Sequence, residues 1–251
     1  MNKAKIFLKK TILSIFNIVY KIQLLRYKKK RKKVLLYTDS RGTEIDSFYK
    51  QRNPYFSYIK YLKNYEVVYK FCPHKFTSIL DFLDYYNNSD EVFDFVILHC
   101  GIVDFAPRPL SSYHSMLETK YSYLVKRNWL QYFLNREDFL CDYEDEKTLQ
   151  FMTLEFLENK IVPELQKING LIYVGVNRVL ENWDGNYWRK RPSCINQQLV
   201  QDQLIMSKVP ISIDFCDWSD DDIKKYTVDN VHYNGHGLEH IGEQLYRILT
   251  K

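Results

Sequence analysis

Glycine and proline are scarce, 8 and 7 residues in a chain of 251, and no internal repeat or low-complexity tract is visible. That excludes a collagen-like chain or a flexible tail-like one. The five cysteines (Cys72, Cys100, Cys141, Cys194 and Cys216) are odd in number, widely scattered and never form a C-x-x-C pair. The pattern argues against a disulfide framework and a cysteine zinc site, and for a reducing compartment. A long hydrophobic run is missing too. In the N-terminal segment the longest stretch without charge is Thr11–Tyr20, too short to span a bilayer, and no small-residue cleavage site follows it as a signal peptide requires.

What is present is an apolar, aromatic chain, 45% hydrophobic and 16% Phe, Trp and Tyr, enough for one large domain and short for two. The net charge of +5 hides a segregation. Residues 1–33 hold ten Lys and two Arg with no acid, +12, which leaves 24 basic and 31 acidic residues, −7, in the rest. Residues 1–32 therefore form a basic arm ahead of a domain spanning 33–251. Apolar residues at 8, 12, 15, 16, 19 and 22 lie on a helical face flanked by lysines. Such a helix suits the interface of an anionic membrane, with the basic stretch Lys28–Lys33 held by the lipid surface; a helix packed on the domain is the alternative. Nucleic acid is a poor fit as a partner, because the acidic body offers no second basic face.

Five strand-like runs follow, in KVLLYT, YEVVYKF (65–71), VFDFVILHCG (92–101), GLIYVGVN (170–177) and VPISIDF (209–215). Helical patterns separate them, at about 53–64, 76–87, 145–167, 194–207 and 235–250. Strands alternating with helices of this length predict an α/β fold, three-layer α/β/α, around a five-stranded parallel sheet. The stretch 108–144 exceeds what a crossover needs and reads as an insertion or cap.

Ligands of such sheets sit beyond the carboxyl ends of the strands. Those ends carry Thr38-Asp39-Ser40-Arg41-Gly42 after the first strand and Gly101-Ile102-Val103-Asp104 with Arg108 after the third. Asn177 follows the fourth, and Asp229-Asn230-Val231-His232 comes after the fifth. Acyl transfer needs a nucleophilic hydroxyl, an imidazole to take its proton, a carboxylate to orient the imidazole, and donors for the oxyanion. Ser40, His232 and Asp229 supply the first three types. No metal or organic cofactor is required for that chemistry. His236 and His240 lie one helical turn apart, but no third ligand accompanies them, so they read as a solvated face.

With these blocks in view, the chain resembles the SGNH (GDSL-like) hydrolase and acyltransferase superfamily from about Lys33 onward. Asp39-Ser40 matches its first block and Asp-x-x-His, here Asp229 to His232, its last. The resemblance implies a flavodoxin-like fold, Ser40 as nucleophile, His232 as base and Asp229 as its orienting acid. It also makes Asp39, Arg41, Gly101, Asp104, Arg108 and Asn177 candidates for holding substrate or oxyanion. The departures are specific. Thr38 replaces a glycine, Val103 stands where the family's oxyanion asparagine belongs, and the second-block glycine has no clear counterpart. The Ser40 amide, Thr77, Ser78 or Arg108 would have to replace those donors. GIVDFAPRP resembles a variant third block of proteins from bacterial surface-polysaccharide loci. The aromatic and basic loop NRVLENWDGNYWRKRP (177–192) suits a sugar or anionic glycan, or a packed lid.

The expectation is a serine esterase or O-acyltransferase acting on a carbohydrate, in the cytoplasm and peripheral to the membrane. The alternative is a non-catalytic relative that binds glycans or scaffolds a complex at the membrane.

Overall fold

The apolar runs pair as a five-stranded parallel sheet. In the computed structural model, which describes residues 3–25, 32–187 and 190–251, its strands are β1 (Lys33–Thr38), β2 (Glu66–Phe71), β3 (Phe95–His99), β7 (Leu171–Val174) and β8 (Ser212–Ile213). Their spatial order is β2-β1-β3-β7-β8. β1 pairs in register with both neighbours, Thr38 opposite Phe71 and opposite His99.

Successive side chains of β1 go to opposite faces, as the period of two demands. Leu35 and Tyr37 join one buried cluster, Val34 and Leu36 another. The first is covered by α2 (Ile79–Asn87), α4 (Leu110–Lys126), a helix running from α5 (Leu154–Phe156) through a π-helical turn (Leu157–Ile161) into α6 (Val162–Gln166), and α7 (Gln198–Lys208). The second is covered by α9 (Gly235–Leu249) and by a 3-10 segment, Tyr58–Leu62, while α8 (Asp220–Tyr226) packs against α9. The sheet thus lies between two helical layers.

Several elements differ from the sequence reading. Residues 53–64 form 3-10 turns rather than an α-helix, because Asn53 and Ser57 each cap a new turn and Pro54 starts one. The expected helix 145–167 begins only at Leu154. Its first part is β6 (Glu146–Leu149), paired antiparallel with β4 (Arg108–Pro109) and β5 (Asp142–Tyr143). The insertion is therefore helix α4 embraced by a small three-stranded sheet.

One expectation is overturned. Cys141 and Cys194, 53 positions apart in the chain, form a disulfide with Cα atoms 6.0 Å apart. The pairing arises because the insertion folds back beside the loop before α7, a contact no local spacing encodes. The cysteine argument for a reducing compartment falls with it.

At the N-terminus, α1 (Lys3–Leu25) lies against the body through Phe16 and Tyr20, whose rings meet Tyr55 edge-on at 5.6 and 5.7 Å. Asn17 accepts a hydrogen bond from the Tyr69 hydroxyl at 2.8 Å. Of the expected apolar face, Ile12 and Phe16 turn inward, while Leu8, Ile15, Val19 and Ile22 face solvent together with Phe7 and Ile18. Most of the basic stretch Lys28–Lys33 lies outside the described residues. No helix among them is long and apolar enough to cross a membrane.

Candidate active site

The strand ends converge as a parallel sheet requires. Asp39 caps a single 3-10 turn, Ser40–Gly42, by accepting the Arg41 amide at 2.9 Å. Any side chain at Gly42 would collide with Thr38, which keeps this turn tight. As its first residue, Ser40 has an amide without an intrahelical acceptor and a hydroxyl facing outward. The Ser40 Oγ lies 2.9 Å from His232 Nε2, and His232 Nδ1 lies 2.8 Å from Asp229 Oδ2. With Nδ1 protonated toward the carboxylate, Nε2 is free to accept the serine proton.

The loop bearing this pair is closed on itself. The Val228 amide donates to the His232 carbonyl at 2.8 Å, and Asp229 Oδ1 accepts the amides of Val231 and His232. Asn230 takes a left-handed φ of 70°, a conformation asparagine tolerates. Its side chain accepts from the Leu180 amide at 2.9 Å. Burial alone would raise the Asp229 pKa, but hydrogen bonding and charge from His232, aided by Arg191, hold it below its ordinary value. It therefore stays ionised beside the imidazole.

The remaining sequence candidates divide sharply. Asp39 and Arg41 do not face the cleft. They are buried and locked together, with Arg41 Nη2 2.9 Å from Asp39 Oδ2 and Nη1 donating to the Gly175 carbonyl at 3.0 Å. The pair ties the end of β1 to the end of β7. Asn177 is buried as well, and its amide donates to the Asn230 carbonyl at 2.8 Å, so it fixes the loop carrying Asp229 and His232. Asp104 accepts the Ile79 amide through Oδ2 at 3.0 Å, while its Oδ1 is buried without a partner among the described residues. Burial, only partly offset by the Ile79 amide and Lys120, pushes its pKa to about 8. Gly101 holds a φ of +139° at the start of α3 (Ile102–Phe105), where a side chain would meet Phe105 and Tyr173. These residues shape the site from below.

Thr77 and Ser78 are turned to local tasks. The Thr77 hydroxyl donates to the His74 carbonyl, and Ser78 caps α2 in a reciprocal box with Asp81. His99 is a core histidine, its Nδ1 2.9 Å from the Tyr58 hydroxyl. His240 is half-buried and stacks on Tyr226 at 5.0 Å rather than lying on a solvated face. Among the described residues no group of three His, Cys, Asp or Glu could hold a metal ion.

Outward from Ser40 and His232 opens a cleft of about 190 Å³. Ile102, Val103, Ala106, Ile195 and Val231 give it an apolar side, and Arg108, Lys190 and Arg191 line it as well. Arg108 Nε donates to the Val103 carbonyl at 3.2 Å, which anchors the guanidinium beside Val103. Arg191 was not singled out from sequence. It lies 3.9 Å over the Tyr187 ring, donates to the Asp229 carbonyl at 2.8 Å and approaches Asp229 Oδ2 at 3.6 Å. Its signal in the sequence is membership of the aromatic and basic loop 177–192. Trp188 and Arg189 lie outside the described residues.

The chain matches no protein-family model, and no curated protein matches it.

Proposed function

We propose that the protein is a divergent SGNH-like acyl-ester enzyme, an esterase or O-acyltransferase acting on a carbohydrate in bacterial surface-glycan biosynthesis. The observation that carries this reading is the unbroken hydrogen-bonded chain from Ser40 through His232 to Asp229 at the mouth of a cleft. Ser40 Oγ attacks the ester carbonyl as His232 takes its proton, and the alcohol departs with that proton. Water or a sugar hydroxyl then releases the acyl group by the reverse transfer. The Ser40 amide and the Arg108 guanidinium are the donors on hand for the oxyanion.

A fluorophosphonate probe tests the nucleophile. Wild type is expected to be labelled and Ser40→Ala unlabelled, with activity falling on the order of 10⁴-fold or more. An unlabelled wild type, together with a Ser40→Ala variant that still functions in the cell, would sink the catalytic reading. Val103 favours a second reading, a glycan-binding relative with weak or no catalysis. An apolar side chain stands where an oxyanion donor belongs, and loss of one such donor costs on the order of 10²–10³ in rate.

The solvent-facing stripe of Phe7, Leu8, Ile15, Ile18, Val19 and Ile22, together with the charge of residues 1–33, supports peripheral attachment to an anionic membrane. With two cysteines joined, this arm alone supports the cytoplasmic placement. Replacing Ile15, Ile18 and Ile22 by Ser in the full chain should weaken sedimentation with anionic vesicles by about tenfold or more. Equal sedimentation would remove the stripe from the account.

A further inference from the structure

Outside residues 1–33 the chain carries a net −7, 24 bases against 31 acids, yet Arg108, Lys190 and Arg191 all line the cleft beside Ser40 and His232. No Asp or Glu appears among its described lining residues. Cations concentrated against the trend of the surrounding surface focus a positive potential on the reacting atoms. Two separate segments deliver them. Arg108 stands on β4, anchored by the Val103 carbonyl. Arg191 is fixed by the Tyr187 ring and the Asp229 carbonyl. Lys190 is exposed, and its own carbonyl accepts the Tyr143 hydroxyl at 2.7 Å, which ties this segment to the insertion. The Cys141–Cys194 disulfide makes a second tie between the same two segments.

We propose that this cleft selects substrates bearing an anionic group, a carboxylate or a phosphate, close to the ester or hydroxyl that reacts. The inference rests on the reading of Ser40 as nucleophile and names the substrate class that site prefers. Guanidinium groups suit the task because their planar forks match carboxylate and phosphate oxygens in pairs, and Lys190 adds a mobile point charge at the rim. The apolar side formed by Ile102, Val103 and Val231 is left for the acyl chain, while the anion lies toward the basic side. An acidic sugar and a phosphorylated polyol share this chemistry.

The test uses the full chain carrying Ser40→Ala, which keeps the esters intact. Binding of 4-acetoxybenzoate, its methyl ester and 4-acetoxyphenyl phosphate is measured by calorimetry at low salt. At least one anion should bind about tenfold more tightly than the neutral methyl ester. That preference should shrink when Arg108→Gln and Lys190→Gln are added, singly or together, and should fade at high salt. A stronger preference for the carboxylate identifies an acidic sugar, and one for the phosphate a phosphorylated acceptor. Equal affinity for all three, no binding of either anion, or a preference that survives both substitutions in a folded protein overturns the inference. Fluorophosphonate labelling of wild type keeps the two readings apart. A labelled Ser40 without anion preference sinks only this inference, and a preference with no labelling and a Ser40→Ala variant that still functions in the cell sinks only the catalytic one.

Discussion

Ser40 and Arg191 face the same cleft but are held there by different means. Ser40 sits on the floor, where the end of β1, the buried Asp39–Arg41 pair and the self-closed loop 228–232 fix every group through hydrogen bonds in the interior. Arg191 belongs to the wall, a segment between Val176 and Ile195 whose described residues form no helix or strand and which is fastened to the insertion by one disulfide and a tyrosine hydroxyl. The floor has the rigidity that proton transfer over a single hydrogen bond demands. The wall is built from side chains that can be exchanged without disturbing the sheet, which is where selectivity can vary at little structural cost.

The comparison breaks most severely at Arg41. Removing one partner of a buried ion pair leaves an uncompensated charge, so Arg41→Met should cost about 3–5 kcal/mol in denaturant unfolding. Ser40→Ala, on the same turn but facing the cleft, should stay within about 0.5 kcal/mol of wild type. Equal losses would show that the floor does not depend on the pair.

On the wall, Cys194→Ser should lower stability by about 2–4 kcal/mol. Hydrogen exchange should quicken across residues 190–195 while β1 stays protected. Uniform quickening, or none, would erase the distinction between floor and wall.

The smallest effect sharpens the floor. Asp104 binds its proton more tightly folded than unfolded, its pKa rising from 3.8 to about 8. The folded state therefore holds the extra proton between those values, and this group's contribution to stability falls as pH rises through that window. Asp104→Asn removes the slope. The variant should gain on wild type by about 1.4 kcal/mol between pH 5 and pH 6, read from paired unfolding curves. A constant difference across pH would mean that Asp104 is ionised throughout.

The five strands were legible because each central strand of a parallel sheet is buried on both faces and so reads as an unbroken apolar run. Ser40, Asp229 and His232 were legible as short polar motifs placed after such runs. Helix α4 was not. Its inward positions Tyr113, Met116, Lys120 and Leu124 follow helical spacing, but Lys120 is buried against Asp81 at 2.6 Å and breaks the apolar stripe. The roles of Asp39 and Arg41 were hidden for a related reason. A charged pair beside a serine at a strand end looks like substrate chemistry until the Gly175 carbonyl is found within reach of the guanidinium. The disulfide depends on the insertion meeting the loop before α7 about fifty residues on, β6 on its pairing with β4 and β5, and Arg191 on its contacts with Tyr187 and Asp229.

The sequence by itself determined the alternating order of strands and helices, since hydrophobic period and burial are local properties of the chain. It also placed a serine hydroxyl after the first strand and an Asp–His pair after the fifth. Only the tertiary structure decided that Ser40 lies 2.9 Å from His232 across 192 residues, which charges turn inward to brace the sheet, and which line the cleft. Hydrogen bonds and charge pairs are short-ranged and directional, so partners far apart in the chain are assigned only when the sheet brings its ends together.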